Sequence, residues 1–138
     1  MKRFIVFISI FVVVIGAFAV FTNYFMAGSP KKILIAIDSS YSMNNSWTII
    51  NDRLKEYKDA KYTKFSLITD KFLIHSWENE LKIQKLGNIK PYGPKDISVF
   101  LDTIKFHELK DADEIIIVTD EKDTKIFEKD KRYKIINL

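Results

Sequence analysis

Cysteine is absent from all 138 residues. That excludes a disulfide framework, a thiolate zinc site and a lipid-modified cysteine, and it leaves the redox compartment open. A block of basic residues interleaved with aromatics is also missing. The chain holds 22 basic and 18 acidic residues, and setting aside Lys2 and Arg3 leaves a net of +2 for the remainder. The charges are interspersed, so nucleic-acid binding has no electrostatic footprint. No internal repeat is present. Only two histidines occur, His75 and His107, with no third ligand near either, and both read as structural.

Charge is missing altogether from residues 4–27, "FIVFISIFVVVIGAFAVFTNYFMA". A helix of this length crosses a hydrocarbon layer of about 30 Å. The pattern predicts a transmembrane signal-anchor helix behind a basic tail at residues 1–3. A cleaved secretory peptide is the competing reading, because Ala17-Phe18-Ala19 fits a small-x-small site. The apolar run continues past that site, which favours the anchor. Lys2, Arg3 and the free amine favour a cytoplasmic N-terminus, although Lys31 and Lys32 dilute the bias. The expectation is a single-pass protein of a bacterial cytoplasmic membrane with its C-terminal domain outside the cytoplasm. Residues 28–32 read as a linker and residues 33–138 as the domain.

Within that domain "KKILIAID" is a short continuous apolar run, as a strand buried on both faces requires. "NNSWTIINDRLKEYKD", residues 44–59, carries Trp47, Ile50, Leu54 and Tyr57 at helical spacing, with Asn44, Asn45 or Ser46 available as a cap. "TKFSLITDKFLIHSW" reads as two strands with a tight turn near Asp70 and Lys71, which makes the second antiparallel to the first. Trp47 is expected in the core and Trp77 at a strand end on the surface. Residues 78–95 are poorly patterned. Asp96 is a good cap for a helix over 97–106, in which Ile97, Phe100, Leu101 and Ile104 share a face; His107 would end it. "DADEIIIVTD" is a second apolar strand, followed by a short helix at about 123–129 and a last strand "YKIINL". Alternating strands and helices predict an α/β domain: an open, mostly parallel twisted sheet with helices on both faces and one antiparallel edge strand.

Ligands of such sheets bind beyond the carboxyl ends of the strands. "ILIAID" and "EIIIVTD" each deliver a carboxylate there, so Asp38 and Asp120 are candidates for one site. Two carboxylates in a crevice require a cation, a proton or a counter-charge. Ser40 and Ser42 lie two apart and project the same way from an extended loop. Carboxylates and hydroxyls together are hard oxygen donors suited to Mg²⁺, Mn²⁺ or Ca²⁺. A serine-rich turn with Asp38 capping the next helix explains the same residues without a ligand.

"IDSSYSMNN" resembles the Asp-x-Ser-x-Ser motif of von Willebrand factor type A domains, the fold of integrin I domains. The resemblance places Asp38, Ser40 and Ser42 on the first segment of a metal-ion-dependent adhesion site, completed by Asp120 of "IIIVTDEK". "KFSLITDKFLIHSW" is similar to the family's second strand and antiparallel edge hairpin. The middle segment departs from the pattern. Gly-Gly-Thr-Asp-Ile is usual, and "YGPKDI" keeps Gly93, Asp96 and Ile97 but has Lys95 where a ligating Thr is expected. An ammonium has three donors and no acceptor and cannot ligate a metal.

The resemblance implies a protein-interaction module rather than an enzyme, with a metal whose open position takes a partner's Glu or Asp. Lys95 allows two other arrangements. Its ammonium can stand between Asp38 and Asp120 in place of the metal, making a metal-independent structural subunit of a membrane complex. Alternatively it points outward and Ser98 or a water fills the missing position. A Mg²⁺-dependent aspartyl phosphatase with Asp38 as nucleophile is the enzymatic alternative. Haloacid-dehalogenase-like enzymes carry Asp-x-Asp there, and Ser40 stands where the acid/base Asp would be.

Overall fold

The computed structural model describes residues 2–57 and 60–138. It falls into two compact units, Met1–Pro30 and Lys31–Leu138.

The first unit is one helix, α1 (Lys2–Gly28). Lys2 and Arg3 belong to this helix rather than to a separate tail. From Val6 to Gly28 its mean hydropathy is 2.4, and the span is long and apolar enough to cross a membrane. Phe7, Val13 and Val20 are among the side chains exposed along it. An apolar helix of this length and composition suits a lipid surround. Thr22 donates its hydroxyl to the Phe18 carbonyl at 2.8 Å, so that polar group is satisfied within the helix.

The second unit is a five-stranded sheet in the order β3-β2-β1-β4-β5. Its strands are β1 (Lys31–Ile37), β2 (Thr63–Thr69), β3 (Leu73–Glu78), β4 (Glu114–Thr119) and β5 (Tyr133–Asn137). Lys31 and Lys32, expected in the linker, already belong to β1. β1 is central and parallel to β2 and β4, with Ile35 opposite Leu67 and Ile116. β5 is parallel to β4, and β3 is the antiparallel edge.

The continuous apolar sequence of β1 follows from burial on both faces. Ile33, Ile35 and Ile37 pack with Met43, Ile50, Leu54 and Leu81 on one side. Leu34 and Ala36 pack with Phe100, Phe106, Leu109 and Phe127 on the other. Alternate residues therefore meet different layers. Each fully buried Ile or Leu stabilises the sheet by about 1.5–3 kcal/mol relative to exposure.

The covering layers depart from the helices that periodicity predicts. The first is broken into a 3₁₀ turn Tyr41–Asn45, the helix α2 (Trp47–Leu54) and a 3₁₀ turn Lys55–Tyr57. Positions 58 and 59 of the expected helix lie outside the described residues. Ser46 occupies the cap position, but its side chain makes no cap bond. Trp47 is half-buried against the core, and its indole N–H donates to the Leu86 carbonyl at 3.3 Å. Trp77 lies at the end of β3, partly exposed and packed against the second core on its other side.

The expected helix over 97–106 is a correction. Only a 3₁₀ turn forms, Ile97–Leu101, and Asp96 makes no cap bond. Its carboxylate accepts the Ser98 hydroxyl at 2.5 Å instead. The Asp102 carboxylate accepts the Ile104 and Lys105 N–H groups at 2.9 and 3.1 Å. This local bond offers the backbone an alternative to the helix. Ile97 and Phe100 stay in the core, while Leu101 is 42% and Ile104 84% exposed. His107 precedes the short helix α3 (Glu108–Asp111) instead of ending a longer one. At 123–129 only a 3₁₀ turn Lys125–Phe127 forms.

Candidate functional site

From β1 the chain passes outward to β2 and β3, then returns to the other side of β1 as β4. Connections therefore diverge at the carboxyl ends of β1 and β4, the switch point where open sheets leave room for a ligand. Asp38 directly follows β1 and Asp120 directly follows β4. The site lies at the far end of β1 from Lys31, where the chain enters the domain.

One hydrogen-bonded chain links the predicted residues. Asp38 is fully buried. Its Oδ1 accepts the Ser40 N–H and its Oδ2 the Thr119 hydroxyl, both at 2.9 Å. The Ser40 and Ser42 hydroxyls lie 3.0 Å apart. Ser42 donates to Asp120 Oδ1 at 3.0 Å. Lys95 Nζ donates to the same oxygen at 2.5 Å and lies 3.6 Å from Glu121 Oε2. Asp38, Ser40, Ser42, Lys95 and Asp120 thus converge. Asp96 and Ser98 bond to each other. An outward Lys95 with Ser98 in its place is not the arrangement adopted.

Lys95 reaches the site because its loop is stitched to the one after β1. Tyr92 N–H donates to the Ser39 carbonyl at 2.8 Å, and Tyr41 N–H to the Gly93 carbonyl at 3.1 Å. Gly93 has φ of +75°, a conformation that a residue without Cβ adopts freely. Lys71 Nζ donates to the Pro94 carbonyl at 2.9 Å and closes the loop from the other side.

Asp70 is the member that sequence reasoning missed. It follows β2 at the same pole and is buried. Its Oδ1 accepts the Ser39 N–H at 2.9 Å and the Ser39 hydroxyl at 2.6 Å, and Oδ2 pairs with Lys71. The signal was present: "LITD" closes β2 as "IVTD" closes β4. Reading Asp70 as a turn residue hid it. Thr119 and Glu121 were likewise adjacent to a predicted ligand and unassigned.

The electrostatics centre on Lys95. Burial alone pulls its pKa down, but the hydrogen bond and charge of Asp120, with Asp38 and Glu121, outweigh burial and raise it. Burial pushes Asp120 up, and the Lys95 and Ser42 hydrogen bonds with the Lys95 charge bring it below the ordinary carboxylate range. The pair is therefore ionised through the neutral range.

Asp38, Ser40, Ser42 and Asp120 are the hard oxygen donors that could face a metal. Here they bond to one another and to Lys95. Among the described residues no group of three or more His, Cys, Asp or Glu side chains is arranged to hold a metal ion. His75 is buried in β3 with Nδ1 2.8 Å from the Ser76 carbonyl. Comparison with protein-family models, curated proteins and solved structures finds no match.

Proposed function

We propose that this chain is a membrane-anchored protein-interaction module of the von Willebrand factor type A kind, in which Lys95 takes the place of the divalent cation. The observation that carries the reading is the Lys95 ammonium 2.5 Å from Asp120 Oδ1, at the end of the serine-bridged chain from Asp38. Two strand-end carboxylates need a counter-charge, and Lys95 supplies one without a metal. The antiparallel hairpin at one edge and the bonded Asp38, Ser40, Ser42 and Asp120 support the family resemblance. Helix α1 anchors the chain with its N-terminus in the cytoplasm and the domain on the other side. Tyr41 and Tyr92, 70% and 47% exposed, belong to the two loops stitched together at the site. Exposed aromatics of this kind are common anchors of protein interfaces.

Metal-dependent capture of a partner's Glu or Asp is the second reading, favoured by the convergence of the four oxygen donors. Mg²⁺ or Mn²⁺ would there be held by Asp38, Ser40, Ser42 and Asp120. An aspartyl phosphatase is disfavoured because both oxygens of Asp38 are engaged and its side chain is buried. A nucleophile must reach its substrate.

Calorimetric titration of the full chain in detergent with Mg²⁺ and Mn²⁺ separates these. The wild type is expected to show no saturable binding. Lys95→Thr is expected to bind, and Asp38→Ala added to it to abolish binding. Saturable wild-type binding that Asp38→Ala removes would establish the metal reading instead. Phosphoester turnover lost in Asp38→Asn would overturn the non-enzymatic one.

A further inference from the structure

We infer that the groove between the turn after Phe100 and the segment 125–133 is a docking surface for an acidic, leucine-rich segment of a partner protein. The groove has a volume of about 710 Å³ and is lined by Leu101, Thr103, Lys125, Ile126, Lys129 and Tyr133 together with the Asp130 and Arg132 pair. One of its apolar side chains, Leu101, is one the sequence pattern would bury. Leu101 shares helical spacing with Ile97 and Phe100, yet the Asp102 turn leaves it 42% exposed. Ile126 is 44% exposed beside it. Apolar residues gathered in a concavity mark binding sites more often than scattered ones do.

Charge decides the occupant. Arg132 is spent on Asp130 at 2.7 Å. Lys125 and Lys129 have no acidic partner among the described residues. Two uncommitted ammonium groups beside an apolar floor complement carboxylates flanking aliphatic side chains. A concave floor fits inserted side chains, which a planar headgroup layer does not supply. Past Ile126 the next depression carries Asp96, Glu121 and Asp123 against one cation, Lys95, which is already paired with Asp120. The acidic segment therefore lies toward Lys129 and not toward the strand-end site. This inference is independent of the role of Lys95.

The test uses the full chain in neutral detergent and a fluorescein-labelled peptide of alternating glutamate and leucine, followed by anisotropy. Saturable binding is expected, weakened by salt. Lys125→Glu with Lys129→Glu is expected to weaken it about tenfold, and Ile126→Asp to weaken it as well. Lys61→Glu, outside the groove, is expected to leave it unchanged. Far-UV circular dichroism establishes that each variant is folded. Failure of the acidic peptide to bind, equal binding of a lysine-leucine peptide, or full affinity in the double charge reversal would overturn the inference. So would displacement of the peptide by phosphatidylglycerol added to the micelles, which would assign the surface to lipid.

Discussion

Replacing Lys95 by Met keeps an unbranched side chain one atom shorter and removes its charge. Two unit charges 4 Å apart at an effective dielectric of 20 interact by about 4 kcal/mol. The Lys95 and Asp120 side chains are each 24% exposed, so screening and desolvation offset much of this. A net loss of about 1–3 kcal/mol is expected, between the values for exposed and buried pairs. For a domain of this size that lowers the melting temperature by about 5–15 °C. The assay is denaturant unfolding of the full chain in detergent with EDTA. It is followed by tryptophan fluorescence, because Trp47 and Trp77, the only two tryptophans, both lie in the sheet unit. In a double-mutant cycle with Asp120→Asn the coupling is expected to be about 1–2 kcal/mol.

The pH dependence has two ends. The lowered pKa of Asp120 contributes stability above its unfolded value of about 4, lost as pH falls through the folded value. The raised pKa of Lys95 contributes below about 10.4, lost as pH rises through the folded value. The gap between wild type and Lys95→Met should be widest from about pH 5 to 9 and close at both ends. A Lys95→Met protein as stable as wild type in EDTA, or one additive with Asp120→Asn, would refute Lys95 as counter-charge.

Three further outcomes follow from the packing and hydrogen bonds. Phe100→Ala should cost about 3–5 kcal/mol and Ile104→Ala less than about 0.5 kcal/mol in denaturant unfolding, whereas the predicted helix would have made both core residues. His75 is buried, and burial is the largest cause of its lowered pKa; the Ser76 carbonyl and Glu78 oppose it while Lys85 and Lys82 add to it. Its stabilising contribution is present above the unfolded pKa of about 6.5 and lost as pH falls below it, so His75→Leu should flatten the stability profile between about pH 7 and 5. Asp70→Asn should destabilise by about 1–3 kcal/mol because Ser39 loses a charged acceptor and Lys71 its ion partner; equal stability by melting would show that Asp70 does not brace the loop.

The strands were legible because their evidence is local. An uninterrupted apolar run such as residues 33–37 has to be covered on both faces, and a carboxylate after it has to sit at a sheet pole. The helices were less legible. Ile97, Phe100, Leu101 and Ile104 have helical spacing, but Asp102 binds the backbone N–H groups two and three residues on and ends the turn first. Asp70 was overlooked because a tight turn explains an Asp there equally well.

By itself the sequence determined one uncharged span long enough for a membrane, a mostly parallel sheet, and two carboxylates delivered to the same end of it. These depend on side-chain polarity and spacing along a single segment. Tertiary structure alone decided that Lys95 turns inward onto Asp120 and that Ser39 is held by Asp70. The first depends on bonds from the loop at 92–94 to residues 39, 41 and 71, and the second on the parallel pairing of β1 with β2, groups distant along the chain that only folding brings within hydrogen-bonding reach.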